Sequence, residues 1–88
     1  MLKTHREDVA DSFGVEKDNE LVIGVANGDH FYATGSFQVI VDMIDAGKPV
    51  LVFNCERQLG GHFSPTANSE HLEWFNPNHV VSIGDARP

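Results

Sequence analysis

Cysteine occurs once in this chain, at Cys55. No internal disulfide can form, and the expected setting is a reducing one, intracellular and cytoplasmic. Basic residues are also scarce: six Lys and Arg stand against thirteen Asp and Glu, a net charge of −7. That excess repels a nucleic-acid backbone or an anionic membrane, so neither is expected as a partner. The acids are spread along the chain, six in residues 1–20 and seven in residues 21–88, a pattern that serves solubility. No apolar run approaches the roughly 20 residues needed to cross a bilayer. The opening MLKTHREDVADSFG lacks the apolar segment of a secretory signal. Glycine motifs of the G-x-x-x-x-G-K and G-x-G-x-x-G kinds are missing, which leaves nucleotide binding without support. So are the short C-x-x-C and H-x-x-x-H pairs through which one turn or helix face presents two metal ligands.

What is present has the composition of an ordinary globular protein, with 41% hydrophobic and 22% charged residues. Eighty-eight residues make one domain, and a domain of this size hides only about two-thirds of its unfolded surface. The best-defined stretch is 35–55. Phe37, Ile40, Val41 and Ile44 recur at helical spacing, with Val39 and Met43 widening the stripe and Gln38, Asp42 and Asp45 on its polar back. Ser36 is the expected N-cap, and Gly47 and Pro49 end the helix, giving a span of about 36–46. Val50, Leu51, Val52 and Phe53 follow without polar alternation, the pattern of a strand covered on both faces.

Upstream, residues 21–26 and 29–34 flank Asn27-Gly28 and predict a hairpin with a two-residue type I′ turn. That register pairs Ile23 with Tyr32 and Gly24 with Phe31. One face then carries Leu21, Ile23, Val25, His30 and Tyr32, and the helix is expected on the other. Residues 1–20 form a separate N-terminal segment, either a short helix with a capping box at Thr4 and Glu7, docked through Val9 and Phe13, or a disordered one. Residues 21–88 form the α+β domain.

Downstream, residues 56–69 lack periodicity, which leaves three readings: a functional loop, a mobile one, or a second hairpin turning at Gly60-Gly61 and returning through His62 and Phe63. Residues 71–75 alternate as a strand, 76–79 read as a proline turn, 79–83 as the last strand, and 84–88 as a frayed tail. The expected fold is a small twisted mixed sheet in the order β-β-α-β-β-β, one face covered by the helix, with a partly closed barrel as the alternative.

Candidate chemistry is sparse. Cys55, Arg57, His62 and His79 are the candidate ligand-binding residues, on the loop after the third strand and the turn before the last. Their spacing has no catalytic or metal-ligating signature, so no catalytic residue, metal or cofactor is expected. A single sheet backed by one helix leaves a face without cover. Leu21, Ile23, Val25 and Tyr32, with Trp74, would there form an interaction surface, most simply that of a two-fold homodimer. The expected function is therefore that of a non-enzymatic module that self-associates or binds another protein. A small-molecule site or enzyme at 55–69, and a metal-binding protein, are the alternatives.

Overall fold

The computed structural model describes residues 19–87, with Asn19 described through its backbone alone. The expected capping box at Thr4 and Glu7 and the docking of Val9 and Phe13 lie outside the described residues. Among the described residues six strands and one helix follow in the order β1 (Asn19–Val25), β2 (His30–Gly35), α1 (Phe37–Asp45), β3 (Val50–Arg57), β4 (Phe63–Pro65), β5 (His71–Glu73) and β6 (Val80–Asp85). A 3-10 turn at Pro77–His79 precedes β6. The fold is α+β, one sheet with one helix packed against it.

The helix forms where its residues require it. Ser36 caps it, its hydroxyl accepting from the Val39 amide at 3.5 Å. At the other end Gly47 takes φ +72, and the Lys48 and Gly47 amides bond back to the Met43 and Ile44 carbonyls. This paired closure needs a left-handed residue, which glycine supplies without strain. Phe37, Ile40, Val41 and Ile44 are buried as their spacing predicts, whereas Val39 is exposed and extends no stripe.

The hairpin of β1 and β2 exists, but one residue out of the expected register. Ile23 lies opposite Phe31, Val22 opposite Tyr32 and Leu21 opposite Ala33. The Gly28 amide bonds the Val25 carbonyl at 2.9 Å, and Val25 N–H bonds the Asp29 carbonyl at 3.0 Å. Gly28, at φ +96, supplies the turn's one positive φ. The connection is thus a three-residue loop, a type I turn closed by a glycine bulge, in place of a type I′ turn. Ala26 is free to leave the ladder because the His79 carbonyl takes its amide at 2.8 Å. Side chains alternate with period two, so one residue of slip turns all of β2 over relative to β1.

Leu21, Ile23, Phe31 and Ala33 consequently share the helix face, and Val22, Gly24, His30 and Tyr32 the other. The expected uncovered patch is not formed. Leu21 and Ile23 are fully buried against α1, in a core completed by Val50, Val52, Phe75, Val80 and Ile83.

Every pairing in the sheet is antiparallel, which corrects the expectation of a mixed sheet. The order is β4-β3-β2-β1-β6, and β5 shares the outer edge of β3 with β4. Tyr32 pairs with Phe53, and continuing that register puts the start of β3 beside the end of β2. The chain therefore leaves the sheet for α1 and re-enters next to where it left, so no parallel crossover is built. With α1 on one face only, β3 alternates: Val50 and Val52 are buried, while Leu51 is 50% exposed beside Leu72 of β5. The expectation of cover on both faces fails there.

Farther along β3 the second face is covered by the sheet itself. The β3–β4 hairpin, one of the three readings of residues 56–69, brings Phe63 onto Val22, Tyr32 and Ala86. The Phe63 amide bonds the Ala86 carbonyl at 2.8 Å, and the Ala86 amide bonds the Glu20 carbonyl. One such bond does not close a barrel, and the sheet remains open. It does hold the chain after β6 in place: Ala86 is fully buried, contrary to the expected frayed tail.

Candidate functional site

A cleft of about 520 Å³ opens where the β1–β2 turn meets residues 73–79. This is within the usual size range of ligand pockets. Its position follows from local structure. The His79 amide bonds the Asn76 carbonyl at 2.8 Å with Pro77 between, as the proline-turn reading requires, and the Asn76 side chain accepts from the Asn78 amide. The bond from Ala26 to the His79 carbonyl then ties this turn to the hairpin. The aromatic lining comes from Phe31, Trp74 and Phe75. Phe31 and Phe75 meet edge to face at 5.4 Å, a favoured arrangement of ring quadrupoles. Trp74 is 64% exposed, a large apolar surface to leave in water.

Two carboxylates line the same cleft, Asp29 and Glu73, with no lysine or arginine among the lining residues. Asp29 Oδ2 accepts from the Asn27 side chain at 3.2 Å. Glu73 Oε1 meets His71 Nε2 at 3.1 Å, because residues two apart on β5 share a face. The other ring nitrogen of His71 meets the Ser69 carbonyl at 2.8 Å. A neutral imidazole has one N–H and cannot donate to both acceptors; an imidazolium can. The Ser69 carbonyl is the largest cause holding the His71 pKa above its ordinary 6.5; burial opposes it, and Glu73 adds a smaller upward push.

A second hollow, on the face away from α1, is lined by His30, Asn54, Cys55, Arg57 and Phe63. The His30 ring stacks on Phe63 at 5.1 Å, and the Arg57 guanidinium lies 5.0 Å from the same ring. Cys55 is half-buried and its thiol faces the His30 carbonyl at 3.5 Å. Burial pushes the thiol pKa up, which keeps it protonated and weakly nucleophilic near neutrality. At the far end of this face the Tyr32 hydroxyl donates to Glu20 at 2.7 Å, and Arg87 Nε lies 3.0 Å from the same carboxylate. The Tyr32 bond and then Arg87 hold Glu20 below its usual pKa. Burial, then Glu20, pushes the Tyr32 phenol up to about 12.

The four expected ligand residues are not brought together. Cys55 and Arg57 line the second hollow, His79 lines the cleft, and His62, half-buried in the β3–β4 turn, lines neither. Of the expected interface residues, Leu21, Ile23 and Tyr32 are buried within the chain; Val25 and Trp74 line the cleft. Asp29, Phe31, Glu73 and Phe75 carried no signal of proximity in the sequence, being some forty residues apart in two pairs. The alternation of 71–75 does place His71, Glu73 and Phe75 on one face, and that much was legible. Among the described residues no group of three His, Cys, Asp or Glu side chains could hold a metal ion, and no helix is long and apolar enough to cross a membrane.

Fold and site together define a small α+β domain with an aromatic-lined, carboxylate-bearing cleft at one end of its sheet. No protein-family model matches this chain, and neither a curated protein nor a solved structure matches it.

Proposed function

We propose that this chain is a non-enzymatic protein-interaction module that receives part of a partner protein in the cleft between the β1–β2 turn and residues 73–79. The observation that carries this reading is Trp74, largely exposed on a cleft whose other aromatic residues are packed into the fold. Tryptophan is among the residues most enriched at the energetic centres of protein interfaces. A partly protected, protonated Cys55 suits a reducing cytoplasmic setting, the compartment we assign with it.

Trp74 is the chain's one tryptophan, so its fluorescence reports occupancy directly. Random peptides displayed on phage and selected on the protein, with counter-selection on Trp74→Ala, should yield binders that shift this emission. If no selected peptide distinguishes the two proteins, the cleft is not the recognition site.

Self-association is a second reading, favoured by Leu51 and Leu72. These residues pair across β3 and β5 and are 50% and 56% exposed on the face away from α1. Two copies joined there would cover both. Native mass spectrometry decides it: a monomer at micromolar concentration removes this reading.

A further inference from the structure

We infer that the occupant of the cleft is a cationic side chain, a lysine or arginine presented by the partner protein; this rests on the reading of the cleft as a protein-interaction site. Asp29 and Glu73 line the cleft, and no lysine or arginine does. The titratable groups beside these acids are His79, also in the lining, His71, bonded to Glu73, and Arg57, which lines the second hollow that Asp29 also borders. Each carboxylate has one oxygen engaged, by Asn27 and by His71. The other oxygen of each accepts nothing from the described residues. A guest with N–H donors is what two such oxygens recognise.

The aromatic lining selects the same guest. A π face carries negative charge, and a cation within about 6 Å of it is attracted, most strongly by tryptophan. Phe31, Phe75 and Trp74 also offer apolar surface to the alkyl stem that a lysine or arginine carries. A carboxylate-bearing guest would meet repulsion from both acids, and a purely apolar one would leave them unused. The net charge of −7 adds long-range steering of cationic partners.

The test uses two small probes, Nα-acetyl-lysine methylamide and Nα-acetyl-norleucine methylamide, which share an alkyl chain and differ by the ammonium. Each is titrated into the 15N-labelled full chain, following the Trp74 indole N–H and the amides of Glu73, Asn76 and His79. The expected result is saturable shifts with the lysine probe at about tenfold lower concentration than with norleucine, the gain falling in Asp29→Asn/Glu73→Gln. Equal affinity for both probes overturns the cationic occupant while leaving a cleft that binds. Silence with both probes also overturns it, and the peptide selection then judges the broader reading separately.

Discussion

Replacing Phe63 with alanine measures how firmly the sheet covers its own second face. Phe63 is one of four buried residues in the smaller core cluster, with Val22, Tyr32 and Ala86. It also stacks with His30 and lies under the Arg57 guanidinium. Phenylalanine-to-alanine changes in a core cost about 3–5 kcal/mol, and the low end applies where the cavity can collapse or open to water. We therefore expect a loss of about 3 kcal/mol, against a total stability of about 4–13 kcal/mol for a chain this long. At roughly 4–8 °C per kcal/mol, the melting temperature should fall by about 12–24 °C. Urea unfolding followed by circular dichroism gives the energy. Hydrogen exchange of the Phe63 amide, whose acceptor is the Ala86 carbonyl, shows whether β4 has detached. Leu59, 98% exposed at the tip of the same hairpin, provides the control: Leu59→Ser should change stability by no more than about 0.5 kcal/mol. A Phe63→Ala protein as stable as the parent, with its residue-63 amide still protected, would refute the reasoning.

Two further outcomes follow from the electrostatics. Tyr32→Phe removes a hydrogen bond to the partly exposed Glu20 carboxylate, and should cost about 1 kcal/mol at pH 7. The Tyr32 hydrogen bond, and then Arg87, hold Glu20 below its ordinary value of 4.5. That contribution is present above the unfolded pKa and lost as pH falls through the folded one, so urea midpoints of parent and variant should converge as the pH is taken progressively below 4.5. For His71 the sign is opposite. Its folded pKa is raised, so the stability it adds is full below about 6.5 and lost as pH rises through the folded value. NMR titration should place His71 above 6.5, and Glu73→Gln should lower it only in part, because the Ser69 carbonyl is the larger cause. A His71 pKa at or below 6.5 in the parent would contradict the two-acceptor geometry.

Local chemistry determined much of this molecule without reference to the rest of the chain. Helical spacing of Phe37, Ile40, Val41 and Ile44, the Ser36 cap and the left-handed Gly47 specify α1 within a residue or so, because each acts over one or two turns of backbone. Pro77 specified its turn, and alternation specified which residues of β5 share a face, for the same reason. Only the tertiary structure decided what depended on distant groups. The register of the hairpin turned on the His79 carbonyl accepting the Ala26 amide, a contact across more than fifty residues. That one-residue difference moved Leu21 and Ile23 from an expected interface into the core, since side chains change face at every step along a strand. The cover on the second face depended on Phe63 reaching Ala86, and the cleft on Asp29 and Phe31 meeting residues 73–79. Spacing along a chain describes which residues share an element's face; it carries no information about which faces will meet.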